Sequence, residues 1–541
     1  MARGMLVSYA GYPYTLSSLF PDNGLASLAA VLRTEGHECE VLDLNTVELI
    51  DRMVDRASRS ALGEILRHMA ASPDPDTMRR LVAVAGRVEQ QGRQVADEIA
   101  RALVQRCRER RPDFVGFKLW NGDGFEASLR IARHIRDELP AIRLYAGGPS
   151  VHYCADLVAR EAPVFDAVID GDGEQAILEL ARHAEGRRSL EGIPNLVTGQ
   201  ASSATAVEDL SCLPLPDYSK EAYPSVHDGS KLRLFCIDDS RGCPMRCAFC
   251  INWRIEGTRW RTRTADQVVQ EVEGFRELGS RAFRLAGTYS PPKLVGQICD
   301  RLIEKRLDVE FGVSLHANGA RADLAAKLRE AGCFGVFIGV ESAAAAILDR
   351  AVGKSVSPQQ LREALQACMD TGLFTAGSFI FPAPFETEET EAETRALIRE
   401  LFAGNPRSTI NLCFAGLLPR TTWWAERERF GFELQVSEEE YLRRMLRYKI
   451  RHLVPTTYWE PLPYTLDGTP QPELARRTDG LQRWARSIGV GVNLPDHDAQ
   501  VGVSLGHTAV AFQGILRRNL FTGDAKSMHQ LVSEANRALS P

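Results

Sequence analysis

The chain has 541 residues, of which 44% are hydrophobic and 25% charged, with a formal net charge of −6 and a pI of about 6.1. This composition is typical of a globular protein of three or four domains, and the negative charge disfavours nucleic acid as a partner. With no apolar run near the ~18 residues of a membrane span, no signal peptide and twelve cysteines without a disulfide-like framework, we predict a cytoplasmic protein without a membrane partner.

Residues 1–200 alternate between strands and helices. Apolar runs such as "GMLVSYA", "CEVLDLN" and "DFVGFKL" are separated by amphipathic segments, which predicts a doubly wound parallel sheet, interrupted by a polar helical insertion over residues 47–111. Ligands of such sheets bind at the carboxyl ends of the strands. These ends are rich in glycine, and the candidate residues there are Gly147, Gly148, Pro149, Gly171, Gly173 and Glu174.

The rest of the chain divides into three predicted segments. A proline-rich linker covers residues 201–230. Strand and helix patterns alternate again over residues 231–420, which predicts a partial parallel βα barrel with its site at the carboxyl ends of the strands. Residues 421–541 are less regular, and we predict a smaller C-terminal mixed domain that forms a substrate pocket or lid, or that only packs.

Three cysteines lie together in "SRGCPMRCAFCINW", where Cys243, Cys247 and Cys250 have C-x-x-x-C-x-x-C spacing. Thiolates at this spacing bind a soft metal or an iron–sulfur cluster. A structural zinc site needs four ligands, and no second cysteine pair lies nearby to supply the fourth. Gly242 and Pro244 indicate a loop, which disfavours three buried structural cysteines. Three thiolates on a four-iron cube would leave one iron open.

The segment "RGCPMRCAFC", with Phe249 before the last cysteine, resembles the cluster loop of the radical S-adenosylmethionine (SAM) superfamily. The resemblance implies a 4Fe-4S cluster on the three cysteines and SAM on the open iron. It extends to "FRLAGTYS", although the usual acidic residue is absent there, to "VSLHA" and to "FIGVESAAAAILDRAVGK". The SAM-binding candidates that it implies are Gly287, Ser314, Glu341 and Ser342.

The N-terminal segments "PDNGLASLAAVLRTEGHECEVLDLN", "RPDFVGFKLWNG" and "LYAGGPSVHYCADLV" resemble the cobalamin-binding domain that precedes many radical SAM cores. The resemblance adds Asn23, Gly24, Lys118 and Trp120 to the glycine-rich strand ends as cofactor-binding candidates. The D-x-H-x-x-G motif of that family is absent, so we expect no cobalt ligand from this loop. Arg67 and His68 are the alternative groups that could approach the lower face of the cobalamin. The alternative interpretation of the whole segment is an ordinary flavodoxin-like domain.

Together the two halves resemble cobalamin-dependent radical SAM methyltransferases. The resemblance implies methyl transfer from SAM via cobalamin to carbon of a small molecule in natural-product biosynthesis, with an external electron donor as a further partner. The alternatives are a radical rearrangement or oxidation without methylation, and a non-enzymatic sensor. The sensor is disfavoured because no helix-turn-helix or basic stripe is present.

The helix pattern "QEVEGF" carries Glu271 and Glu273, the two candidate catalytic carboxylates. They point to different sides of a helix, so only one can face the cluster. A carboxylate on the open iron would exclude SAM from it and require polar methyl transfer to an electron-rich carbon. We therefore predict C2 of L-tryptophan as a first substrate candidate, by resemblance to the tryptophan methyltransferases of thiopeptide antibiotic biosynthesis.

Overall fold

A computed structural model describes residues 1–69, 75–197, 206–449, 456 and 459–541. Two parallel sheets carry the chain, of five and seven strands, and the predicted α/β fold class is confirmed. Among the helices of these described ranges, none combines the length and the apolarity that crossing a membrane requires.

The first sheet is built by residues 3–168 and has the order β2-β1-β3-β4-β5, with every pair parallel. This is the flavodoxin-like order, in which a ligand crevice opens beside β1 and β3 outside the strand ends. The strands are β1 (Arg3–Ser8), β2 (Glu38–Asp43), β3 (Phe114–Lys118), β4 (Arg143–Gly147) and β5 (Ala167–Val168). The helices of this unit are α1 (Asn23–Thr34), α2 (Glu48–Met53), α3 (Arg56–Met69), α4 (Pro75–Arg110), α5 (Asp123–Glu138), α6 (Val151–Glu161) and α7 (Glu174–Ala184).

The second sheet holds seven parallel strands in the order β17-β13-β12-β11-β10-β9-β6. Six come from the predicted core: β6 (Phe235–Ile237), β9 (Ala282–Leu285), β10 (Glu310–Leu315), β11 (Cys333–Glu341), β12 (Phe374–Ile380) and β13 (Ser408–Cys413). A two-stranded ribbon, β7 (Ser240–Arg241) with β8 (Arg261–Thr262), encloses the cysteine segment. The helices are α8 (Asn252–Ile255), α9 (Ala265–Glu277), α10 (Pro292–Glu304), α11 (Ala322–Glu330), α12 (Ala345–Ile347), α13 (Pro358–Asp370) and α14 (Glu388–Phe402).

The C-terminal segment packs against both units. Its strand β17 pairs with β13 and completes the second sheet, while its last helices contact α3 and α2 of the first unit. A two-residue strand is too short to show a period, which is why the pattern missed it. The elements are α15 (Thr422–Ala425), β14 (Phe432–Leu434), α16 (Glu438–Leu446), β15 (Tyr464–Leu466), β16 (Thr469–Pro470), α17 (Gln471–Ser487), β17 (Gly491–Val492), α18 (Asp496–Ser504), α19 (Ala509–Thr522) and α20 (Ala525–Ala538).

The inner face of the second sheet is open. Along its strands the outward residues are buried under helices, whereas alternate inward residues remain partly exposed, as expected for a barrel with a cavity. The inward residues are Cys236, Arg284, Ser314, Phe337, Ser378, Asn411 and Cys413.

A buried ion pair joins the two units. Lys231, at the end of the linker, has its Nζ atom 2.5 Å from Oδ2 of Asp43 at the end of β2, and both side chains are at most 1% exposed. The Tyr223 hydroxyl donates to the same carboxylate, and Lys231 donates to the carbonyl of Asn45. Because buried polar groups are costly unless paired, this satisfied network fixes the linker on the first sheet.

Candidate active site

The cysteine segment is a loop held from several sides. The backbone N–H of Ala248 donates to the Val352 carbonyl, and the N–H of Trp423 donates to the Ala248 carbonyl. Gly242 has a φ of +88°, and a Cβ atom there would lie 2.1 Å from the Arg259 carbonyl oxygen, so only glycine fits at the entrance of the loop. The conformation of the cysteine loop therefore depends on these backbone contacts and on the glycine of the motif.

The surroundings of the three thiols fit an iron–sulfur cluster. Burial raises the pKa of all three thiols, to about 12 for Cys247 and to about 11 for Cys250. Backbone N–H groups act in the opposite direction and favour the thiolates: that of Met245 is directed at Cys243, and those of Asn252 and Trp253 are directed at Cys250. Such N–H donors to sulfur are typical of cluster sites. Within the described ranges no three Cys, His, Asp or Glu side chains converge on one point.

Glu341 lies beside the cysteine loop in a strained conformation. Its φ is +66°, and its carboxylate is 3.2 Å from Nζ of Lys354, with both side chains at most 8% exposed. Its charge acts on Cys247 and Cys250. Positive φ at a buried non-glycine residue persists only where the surroundings enforce it, and it is common at functional sites.

The other SAM-binding candidates have different environments. The N–H of Gly287 donates to Asp239 over 2.8 Å, and a Cβ atom there would lie 2.3 Å from the Ser240 hydroxyl oxygen. The Ser314 hydroxyl accepts from Arg284 inside the barrel. Ser342 contacts Thr394 and accepts from the N–H of Ala344, which orders the chain after β11. The ring of Phe249 packs 5.8 Å from that of Trp423.

The two carboxylates of α9, predicted to be catalytic, have different environments, and neither is among the charged groups that act on the three thiols in the described part of the chain. Glu273 is on the outer surface, paired with Lys305 over 2.7 Å. Glu271 is 4% exposed, faces Arg263 and the linker residue Tyr218, and has no hydrogen bond to either oxygen. The carboxylates whose charges act on the thiols are instead Glu256 and Glu341.

Burial raises the pKa of Glu271 to about 8. The folded protein therefore keeps this proton up to a pH at which the unfolded chain, with a pKa near 4.5, has lost it. We expect the stability of the wild type relative to Glu271→Gln to fall as pH rises from about 4.5 to about 8, by up to about 1.4 kcal/mol per pH unit, and to level off above. Urea unfolding of both proteins at several pH values measures this, and parallel pH profiles would contradict it.

The glycine-rich edge of the first sheet has backbone conformations that side chains would obstruct. Gly148 has a φ of +109°, and a Cβ atom there would lie 3.1 Å from the backbone nitrogen of Leu119. Gly171 has a φ of +129° and lies against Asn195. With Gly147, Pro149 and Gly173 these residues leave an edge that a flat, bulky cofactor can approach.

A polar cluster lies at the start of α1, beside this edge. Asp22 caps the helix through the N–H of Leu25, and its carboxylate is 2.6 Å from Nζ of Lys118. Lys118 also lies over the ring of Trp120, whose indole N–H donates to Ser8. Asn23 and Gly24 form the first turn of α1 beside this lysine. A helix N-terminus next to a lysine suits a phosphate, such as that of a cobalamin nucleotide tail.

Glu174, a predicted cofactor-binding residue, forms an ion pair between the two units. Arg241, two residues before Cys243, lies 2.6 Å from Glu174, 3.1 Å from Asp172 and 2.7 Å from Asp238. Glu174 and Asp172 belong to the glycine-rich edge of the first sheet, and Asp238 belongs to the predicted core. The cysteine loop is therefore anchored directly to the glycine-rich edge.

Further contacts close the junction between the two edges. Tyr153, in the first turn of α6, lies close enough to Cys250 for the thiol's charge to add to the effect of burial in raising the tyrosine's pKa. Arg420 of the core donates to the His152 carbonyl and to Asp170, which also binds the His152 ring. The glycine-rich edge of the first sheet and the cysteine loop of the second unit therefore face each other.

The candidates for the lower face of the cobalamin, Arg67 and His68, both lie on α3. Arg67 and His68 are on the exposed surface of α3, and the His68 ring contacts the carbonyl of Glu64 on the same helix. Other residues at the cysteine loop escaped the sequence analysis: Tyr153, Trp253, Glu256, Tyr289, His316 and Lys354. Apart from Trp253 and Glu256, which follow the motif, no spacing in the sequence linked them to it.

Comparisons with known proteins match both units. The model of the radical SAM superfamily matches residues 237–398, and that of the B12 binding domain matches residues 77–181. An uncharacterised methyltransferase of Pyrococcus horikoshii is 29% identical over 56% of this chain and 68% of its own length. The anaerobic magnesium-protoporphyrin IX monomethyl ester cyclase of Rubrivivax gelatinosus is 28% identical over 54% of each protein.

Among solved structures, the methyltransferase TsrM of Kitasatospora setae, with cobalamin and a [4Fe-4S] cluster bound, superposes with a TM-score of 0.64 at 18% identity over 98% of this chain and 100% of its own. TsrM with tryptophan substrate and a SAM analogue bound superposes with a TM-score of 0.59 at 19% identity, over 81% and 79%. At these identities the likeness concerns the fold.

The chain therefore carries a B12-binding domain before a radical SAM domain, the combination found in enzymes that use SAM and cobalamin. The predicted cofactors, a 4Fe-4S cluster, SAM and cobalamin, are confirmed at the level of these domains. Within the class, the methyltransferase-named relative and the TsrM-like fold support the predicted methyltransferase family.

Proposed function

We propose that the protein transfers a methyl group from SAM, through cobalamin, to a carbon of a small molecule. The observation that carries this proposal is the junction at Arg241, which fixes the cysteine loop opposite the glycine-rich edge. When bound, SAM supplies the methyl group, cobalamin carries it and the cluster supplies electrons, which an external donor replaces. The chain's own residues hold these groups in line and exclude water between them.

The barrel interior is the proposed substrate site. Its partly exposed residues combine an aromatic ring, Phe337, with the polar groups of Ser378, Asn411 and Cys413. Deeper in the barrel, Arg284 pairs with Asp496 and donates to Ser314. A cavity of mixed polarity suits a compact molecule that has both an apolar ring and polar groups.

L-tryptophan, methylated at C2 in natural-product biosynthesis, is the first substrate candidate. The fold shared with TsrM, solved with tryptophan bound, supports testing it first. The loop after β1 contains no histidine, which agrees with a weakly ligated cobalt and polar methyl transfer. The argument from the α9 carboxylates no longer supports the polar route, because neither is among the charged groups that act on the three thiols in the described part of the chain.

We expect the anaerobically reconstituted protein, given cobalamin, a reductant and SAM with a deuterated methyl group, to form tryptophan heavier by one trideuteromethyl group. Mass spectrometry of the product and of 5′-deoxyadenosine measures the result. Methylated product without stoichiometric 5′-deoxyadenosine indicates the polar route. Glu341→Gln should lower product formation strongly, whereas the exposed control Glu273→Gln should not.

Absence of methylated tryptophan, with methyl transfer to another metabolite of a panel, would exclude the substrate and keep the class. The cyclase relative keeps a second outcome open, in which the substrate changes mass without gaining a methyl group. A product of that kind from a metabolite panel would contradict methyl transfer.

A further inference from the structure

The cysteine loop carries an aromatic side chain that reaches from the thiols toward solvent. The backbone N–H of Trp253 acts on the Cys250 sulfur, and its indole N–H donates to the Cys247 carbonyl over 3.1 Å. The ring is half-buried, and the exposed guanidinium of Arg254 lies 4.1 Å from its centroid. Trp253 is thus bonded to two of the three cysteines and ends at the surface.

The same loop is strongly cationic. Residues 241–263 contain six arginines and one acidic residue, Glu256, whose carboxylate accepts a hydrogen bond from the N–H of Gly242. Three of these arginines are exposed, namely Arg246, Arg254 and Arg259. Arg259 has a surface ion pair with Glu208, whereas no ion pair is found for Arg246 or Arg254 in the described part of the chain. A protein with a net charge of −6 therefore presents a local cluster of exposed positive charge beside the cysteines, one of several positively charged places on its described surface.

We propose that the loop surface of Arg246, Trp253 and Arg254 is the docking site of an acidic one-electron carrier protein. This inference rests on the proposed function, in which the cluster and the cobalamin must be reduced before methyl transfer begins. Charge complementarity steers an anionic carrier to the arginines, and the packed Trp253 ring links the contact to the thiolates. One electron leaves the donor, which is oxidised, and enters the cysteine-held cluster, which is reduced. No covalent bond forms or breaks.

Charge reversal on two faces of the molecule tests the surface. The test variant is Arg246→Glu with Arg254→Glu, and the matched control is Lys526→Glu with Arg537→Glu. The control residues are exposed on α20, whose C-terminal end contacts Arg281 at the start of β9, the end of the barrel opposite the cysteine loop. The probe is a purified flavodoxin, an acidic flavin protein, with reconstituted holoprotein that retains its iron and melting temperature.

We expect the test variant to raise the Kd for flavodoxin by about tenfold and to lose most of its salt dependence, whereas the control stays like wild type. Stopped-flow bleaching of the visible band by reduced flavodoxin should slow in the test variant and in Trp253→Leu, less so in Trp253→Phe. Reduction by dithionite should be unchanged in the two charge-reversed variants. Equal Kd values for both charge-reversed variants, or no binding of flavodoxin to wild type, would overturn the proposal.

Failure of the proposed methyl transfer can be distinguished from failure of the docking proposal. If wild type forms no methylated product with dithionite but binds flavodoxin through the arginines, the docking surface stands and the methyl transfer does not.

Discussion

Replacing Cys243, Cys247 and Cys250 together by alanine is expected to reduce the iron of the reconstituted protein from about four per chain to nearly none. The visible charge-transfer absorption and all methyl transfer should disappear with it. The reason is that these thiols are the cysteines that the loop gathers, with N–H donors already aimed at two of them. Iron analysis and absorption spectroscopy after anaerobic reconstitution measure the result.

The matched control replaces three cysteines outside the motif, Cys39, Cys107 and Cys212, by alanine. It should keep its full iron content. Retention of a complete cluster by the first variant, or its loss in the control, would show that the motif does not hold the iron.

Lys231→Met is expected to cost about 3–5 kcal/mol of unfolding free energy, because it leaves the Asp43 carboxylate buried without its cation. Addition of Asp43→Asn should recover much of this loss, since the double variant has no unpaired buried charge. Urea unfolding followed by circular dichroism measures both.

The control is Lys305→Met, which removes an exposed ion pair with Glu273. A surface pair of this kind contributes less than about 1 kcal/mol, so this variant should resemble wild type. Equal losses of unfolding free energy in Lys231→Met and Lys305→Met would refute the stabilising role of the buried Lys231–Asp43 ion pair.

The sequence predicted the parts of the fold that are local. The C-x-x-x-C-x-x-C spacing lies within eight residues, and strand and helix periods identified the two parallel sheets. Pairings over long separations were missed, because Arg241 and Glu174, 67 residues apart, meet only through the packing of the two units. The burial of Glu271 was not predicted for a related reason: a helical glutamate usually faces water, whereas in this fold its side chain is covered by distant parts of the chain.

Arg241 has a consequence for assembly. Because it stands two residues from Cys243 and its guanidinium is held by Asp172 and Glu174 of the other domain, the conformation of the cysteine loop and the association of the domains are one coupled equilibrium. Whatever orders the loop must strengthen the domain contact by the same free energy with which that contact orders the loop. Metal loading and domain closure therefore favour each other reciprocally, and a chain without metal has the more easily separated halves.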